Sequence, residues 1–354
     1  MRARTVWFPG VPLALCSAAL FGASTPLSKL LLGAVNPWLL AGILYLGAGI
    51  GLTLFMLFRA SQLDQPEETP LRIADLPWLA AVVVAGGIAG PVLLMFGLSA
   101  TDASSASLLL NLEGVATMAI AWVVFRENVD HRLIVGAAAI LAGAVLLSWN
   151  GGGFTLSWGS LLIAGACIAW GIDNNLARKL SASDPVQIAA VKGLVAGAVN
   201  TGVAIFVGAP MVSPYVAALE AVVGFFGIGV SLVFFMLGLR HLGTARTGAY
   251  FSMAPFIGAV LSILLLGEAV TLRLLITGLL MAIGLWLHLS ERHEHEHEHA
   301  EMEHEHRHVH DAHHQHAHAG PVNEPHTHIH RHARMRHKHP HYPDLHHRHV
   351  HSNI

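Results

Sequence analysis

The sequence predicts an all-α membrane protein: ten transmembrane helices arranged as two inverted five-helix repeats, followed by a disordered His-rich C-terminal tail. Three observations predict it. Hydrophobic residues make up 54% of the 354 and charged residues only 12%, against about 25% charged in a soluble domain. Ten apolar stretches have the length that a hydrocarbon core of about 30 Å requires. The two halves of the chain repeat each other at a nearly constant offset, and five spans per repeat forces the second copy to lie inverted. Charge is also segregated: from Glu291 onward the tail holds 7 Lys/Arg and 10 Asp/Glu, leaving 25 charges to the first 290 residues.

The spans are bounded by Pro, Gly, Asn or charge and fall at 11–33, 37–58, 77–99, 103–125, 131–149, 158–179, 185–207, 216–239, 245–266 and 271–289. Pro37, Pro77, Pro185 and Pro214 stand at or just before span starts, where a missing N–H costs nothing. Connections are short apart from the polar linker 59–76. Arg2 and Arg4 precede the first span as they would a signal peptide, but the span runs through Pro26 and Lys29 without a small-residue cleavage site and is expected to be retained. Arg2, Arg4, Arg59, Arg72, Arg126, Arg132, Arg178, Lys179, Arg240, Arg246 and Arg292 gather on one side, and only Lys29 and Arg273 on the other. That asymmetry places both termini in the cytoplasm. The expected organisation is a short cytoplasmic N-terminus (1–10), a first repeat (11–149), a linker (150–157), a second repeat (158–289) and the cytoplasmic tail (290–354). Cys16 and Cys167 lie in apolar runs and read as core packers.

A shift of 141 residues lays Met95-Phe96-Gly97-Leu98 on Met236-Leu237-Gly238-Leu239 and Glu127-Asn128-Val129 on Glu268-Ala269-Val270. A shift of 149 lays Phe21-Gly22 on Trp170-Gly171 and Lys29 on Arg178. Together with Leu110-Asn111-Leu112-Glu113-Gly114 in the fourth span and Gly267-Glu268 closing the ninth, this set resembles the EamA type of the drug/metabolite transporter superfamily. The resemblance covers residues 12–288 and implies two tandem five-helix repeats, a central cavity, and export or exchange of small metabolites. Three positions depart from the family pattern: Glu-Pro of the fourth span is Glu113-Gly114, the closing Gly-Glu is Arg126-Glu127, and Ala254 precedes Pro255.

Candidate functional residues are the polar groups inside spans, because a charge in hydrocarbon costs at least about 2.5 kcal/mol and marks a cavity, a partner or a proton path. Glu113 and Asp173 are the carboxylates this criterion picks out. Glu113 lies ten residues into the fourth span, at the midplane, either for proton coupling or cation binding, or as interhelical glue. Asp173 and Lys192 sit at equal depth on consecutive spans and can pair, as a static bridge or as a gate. Asn174 and Asn175 extend a polar patch beside Asp173, while Ser24 and Thr25 beside Pro26, and Ser252 near Pro255, offer hydroxyls at kinked helices. No catalytic constellation, phosphate-binding loop or ATP-binding segment is present in the sequence, so it reads as a non-enzyme driven by a gradient, with no cofactor required.

Of the 26 histidines, 23 lie between His293 and His351. The alternation His293, His295, His297, His299 and the run His304, His306, His308, His310 supply neutral imidazoles for zinc, nickel, cobalt or copper. The functional reading is a secondary transporter of small organic metabolites, by export, in a bacterial inner membrane. Its partners are the lipid bilayer, a small-molecule substrate and divalent metal ions, with no nucleic acid. The alternative is a divalent metal ion transporter with the tail as ion collector, set against the shortage of ligands within the spans.

Overall fold

The computed structural model describes residues 10–33, 35–62, 70–125, 131–149, 157–177, 179–180, 183–289, 294–299, 302–308, 326–332 and 335–340. Residues 1–9, the linker 150–156, Arg126, Glu127, Asn128, Arg178, His293 and His310 lie outside them.

Among the described residues, helices form where apolar residues run unbroken for bilayer length. They are α1 (Gly10–Leu32), α2 (Pro37–Gln62), α3 (Leu76–Val82), α4 (Gly90–Ser99), α5 (Ala103–Leu109), α6 (Leu112–Phe125) and α7 (His131–Ser148). The second half gives α8 (Trp158–Ala177), α9 (Pro185–Phe206), α10 (Pro214–Gly224), α11 (Ser231–Phe251), α12 (Ala254–Leu266) and α13 (Leu272–Leu289). Nine helical stretches among the described residues are long and apolar enough to cross a membrane, and Ala254–Leu266 is a shorter apolar helix.

Four expected spans are not plain rods. The third is α3 and α4 joined through a π-helical segment, Val83–Ala89, and the eighth has its counterpart at Phe225–Val230. The fourth breaks at Leu110–Asn111, between α5 and α6. The expected ninth span, 245–266, is divided between the end of α11 and α12, with its break at Ser252–Met253. α11 reverses on itself: the rings of Phe235 and Phe251 lie 4.9 Å apart, where a straight helix would separate them by about 24 Å. The interruptions recur within one residue of the sequence offset of 141, the π segments starting at Val83 and Phe225 and the breaks falling at Asn111 and Met253.

The halves interlock rather than sit side by side. α2 packs along α9, α7 along α13, α5 on α12, and α1 on α11 and α12, while α8 takes α4 and α6. Each cross-half contact has its counterpart when the two repeats are exchanged. Glycine seams allow this closeness: a Cβ on Gly193 or Gly197 would enter the α2 backbone near Tyr45, Leu46 and Gly49, and one on Gly136 would meet Gly284 of α13. Like ends of the helices meet throughout. Arg59 on α2 pairs with Asp184 at 2.5 Å at the proximal end, the end holding Gly10, and Arg273 donates to the Trp149 carbonyl at 2.6 Å at the distal end, the end holding Leu32.

In the tail the expectation of a chain without structure needs correction for the 26 residues that form short strands. β1 (Glu294–His299) pairs antiparallel with β4 (Met335–Pro340), and β2 (Met302–His308) with β3 (His326–His332). Composition hides the reason. Alternating His and Glu has the period of a strand, and the partner strands place Lys338 opposite Glu296, Arg336 opposite Glu298 and Arg331 opposite Glu303. His297 then stands opposite His337 and His304 opposite His330 in register.

Candidate functional site

The site is built around the π segment of the third span. A π turn displaces backbone hydrogen bonding and such turns gather at functional sites. Here the Gly86 carbonyl accepts from Tyr45 Oη at 2.8 Å and from Trp170 Nε1 at 3.1 Å, and the Gly87 carbonyl accepts from Asn200 Nδ2 at 3.2 Å. Three helices, α2, α8 and α9, thus converge on two consecutive carbonyls. Glycine is required at both positions, because a Cβ on Gly86 would overlap the Asp173 carboxylate and one on Gly87 would press on Ala196.

Against this bare backbone Lys192 of α9 donates to Asp173 Oδ2 of α8, with side chains only 12% and 9% exposed. Asp173 Oδ1 and Asn200 Oδ1 are buried and accept no hydrogen bond among the described residues. The pair therefore keeps an open acceptor position beside it. Successive helix residues point about 100° apart, so the run Asp173-Asn174-Asn175 reaches two neighbouring helices, α9 and α6. Asp173 turns to α9. Asn174 Nδ2 donates to Glu113 Oε1 at 2.9 Å and to Thr117 Oγ1 at 3.2 Å, and Asn175 Nδ2 donates to the Thr117 carbonyl at 3.0 Å. Glu113 is the second residue of α6, immediately after the break, where the amino end of a helix favours a carboxylate.

The hydroxyl candidates are not brought into this cluster. Ser24 Oγ donates to the Phe21 carbonyl at 2.6 Å and Ser252 Oγ to the Gly248 carbonyl at 2.7 Å, each within its own helix, and Thr25 is buried in α1. Among the metal candidates, His295, His297 and His299 lie on β1 and His304, His306 and His308 on β2. Sequence reasoning missed four residues. Tyr45, Trp170 and Asn200 carried no signal until the π segment supplied carbonyls for them. Glu220, fully buried on α10, corrects the count of carboxylates within spans; its position inside the stretch 216–239 was the available signal.

A second charged arrangement closes the distal end. Lys29 Nζ donates to the Leu98 carbonyl at 2.6 Å and the Thr101 carbonyl at 2.8 Å, while the Glu268 carboxylate accepts from the amides of Ala103 at 2.7 Å and Ser104 at 2.8 Å. A cation on the end of α4 and an anion on the start of α5 both match the helix dipoles. Gly267 makes the second contact reachable: it ends α12 in the left-handed region, φ 65°, which costs glycine nothing, and turns Glu268 back toward α5.

The sequence profile of the EamA-like transporter family matches residues 8–149 and again 157–290. The chain belongs to the EamA-like transporter family. As an EamA-like protein it is a multi-pass membrane transporter with two copies of the repeat. It is 27% identical over 281 residues to an uncharacterized transporter of Methanothermobacter thermautotrophicus, covering 75% of this chain and 82% of that one. It is 26% identical over 253 residues to the uncharacterized inner membrane transporter YedA of Escherichia coli K12, covering 66% and 76%. A crystal structure with 20% identity superposes with a TM-score of 0.58 over 79% of this chain and 96% of that one, a likeness of fold.

Proposed function

We propose that this EamA-like chain is a secondary active transporter that exports small organic metabolites by alternating access. It would lie in a bacterial inner membrane as ten spans in two inverted repeats, with both termini cytoplasmic and the distal end facing out. The reversal of α11 and the five spans expected per repeat support the inversion. One observation carries the cargo reading: the Asp173–Lys192 pair, seated on the π segment, leaves Asp173 Oδ1 buried without a donor among the described residues. A cargo bearing both an amino and an acidic or carbonyl group satisfies both partners at once, and its binding separates α8 from α9. Glu113, bonded to Asn174 beside Asp173 in sequence, is a coupling carboxylate at the cargo site. No three His, Cys, Asp or Glu converge among the described residues, which favours organic cargo over metal ions in the spans. The tail is read as a metal-binding appendage that modulates flux, and catalysis plays no part.

The test is uptake into proteoliposomes of a panel of amino acids, amines and organic acids against radiolabelled zinc and nickel, with and without residues 293–354. Saturable organic flux that survives the truncation supports the proposal. Metal flux alone, lost on truncation, replaces it with metal transport.

A further inference from the structure

Glu220 lies at the seam between the halves. Its helix α10 packs on α2 and α1 of the first repeat. The neighbouring Ala221 abuts Gly47, Gly224 one turn on abuts Leu44, and Gly227 two turns on abuts Ser24. Glu220 itself is 0% exposed, and neither carboxyl oxygen has a hydrogen-bond partner among the described residues.

The titratable groups on the elements packed against α10 are engaged elsewhere or turned outward. On α1, Lys29 is held by the Leu98 and Thr101 carbonyls and Cys16 is exposed. On α2, Tyr45 donates to Gly86 and Arg59 pairs with Asp184. The segment Phe225–Val230 carries none, and Tyr215 on α10 is exposed. A carboxylate sealed among apolar helices with neither cation nor donor is the least tolerable state of that group. The protonated acid is the form the seam accepts. The equivalent place in the first half holds no acid: the register of the two π segments sets Glu220 on Trp78, and the sequence repeat at 141 residues sets it on buried Leu79.

We propose that Glu220 is a proton-binding site of the transport cycle, protonated while the distal end is closed and exchanging its proton with water when α10 parts from α1 and α2. That seam joins the two repeats, so it is a contact that alternating access must loosen. Glu220 lies six residues beyond Pro214, about 9 Å from the distal end, on the side the Lys29 and Glu268 contacts close. Its role in the cycle rests on the transport reading; its proton does not.

Full-length protein in liposomes, followed by infrared difference spectroscopy across a pH step, reads the proton without any cargo. The expected result is a carbonyl band of a protonated acid in dry surroundings at neutral pH, absent in Glu220→Gln and in Glu220→Leu, the latter matching Leu79. Both variants should elute as monodisperse protein in detergent, and either one suffices. Identical bands in wild type and a folded variant overturn the proton site. With a cargo from the panel above, Glu220→Gln should keep cargo-for-cargo exchange and lose accumulation driven by a pH gradient. Retained gradient-driven accumulation overturns the coupling role. A panel without any cargo sinks the transport reading and leaves the infrared result standing.

Discussion

The two π segments occupy equivalent places in the two repeats and are furnished in opposite ways. Around Val83–Ala89 stand Tyr45, Trp170 and Asn200 as donors, with Asp173 and Lys192 against the bare backbone. Around Phe225–Val230 stand aromatic rings, Phe225 and Phe226 with centroids 5.0 Å apart, and small residues of α1 and α2. The shift of 149 that aligns the first and sixth spans sets Asp173-Asn174-Asn175 on Ser24-Thr25-Pro26, and α2 has no charge before Arg59. On the proposed function, the shared backbone irregularity serves the motion that both halves make, and the unshared side chains serve the cargo, which needs only one site.

Breaking the ion pair should have the largest effect. Asp173→Asn or Lys192→Gln strands a buried charge, at a cost of about 3–5 kcal/mol, read as lost folded yield and melting temperature in detergent. The double variant should recover most of the yield, since no unpaired charge is left; a double as poor as the worse single would mean the two are not coupled.

Next in size is a matched pair of glycine substitutions that tests the comparison itself. Gly86→Ala drives a Cβ into the Asp173 carboxylate, while Gly227→Ala meets the Cβ of Ser24 at 2.7 Å and the Leu20 carbonyl at 3.4 Å, with no charged group in reach. Overpacking costs about 1–3 kcal/mol, and Gly86→Ala should also cut flux more than Gly227→Ala. Equal losses would say that the irregularity, not its furnishing, is what transport uses.

Glu113→Gln should leave folding nearly unchanged, because an amide oxygen still accepts from Asn174. It should abolish the dependence of flux on a pH gradient, because the titrating proton is gone. Unchanged pH-driven flux in that variant would remove Glu113 from the coupling. The smallest effect is expected from deleting 293–354: organic flux in metal-free buffer stays near normal, and zinc or nickel alters flux in the full-length protein alone. Imidazole binds metal in its neutral form and titrates near pH 6.5, so the metal response should fade as pH falls toward about 5.5. A response identical in full-length and truncated proteins would exclude a regulatory tail.

What the sequence made legible follows from what hydropathy and spacing encode. Span positions came from the length of apolar runs, and the relation of Asp173 to Lys192 came from rise per residue applied to two adjacent helices. The offset of 141 came from Gly-containing words, and the π segments and helix breaks recur at that offset within a residue. The break at Leu110–Asn111 was not legible, because neither Pro nor Gly marks it; the break at Ser252–Met253 had Pro255 nearby and was read as a kink inside one span. Tyr45 and Trp170 looked like ordinary apolar residues because their donors matter only once Gly86 presents a spare carbonyl. Charge patterning in the tail was lost in its composition, where Glu and Arg positions average out.

A π turn holds one residue more than the α-helical turn it replaces, and that surplus gives a helix a degree of freedom. Moving the surplus one residue along turns only the residue it passes, by about 100°, while each amide still has a partner. The third and eighth spans thus carry a joint in the middle at which one side chain can change face without the rest of the helix turning. Side-chain donors on two consecutive carbonyls, those of Gly86 and Gly87, pin the joint of the third span. The joint of the eighth span rests on Ser24, Ala48 and Leu52 through the bare faces of Gly227 and Gly229. One joint is held by three side-chain donors and the other only by packing, so the surplus of the eighth span is expected to shift more readily than that of the third.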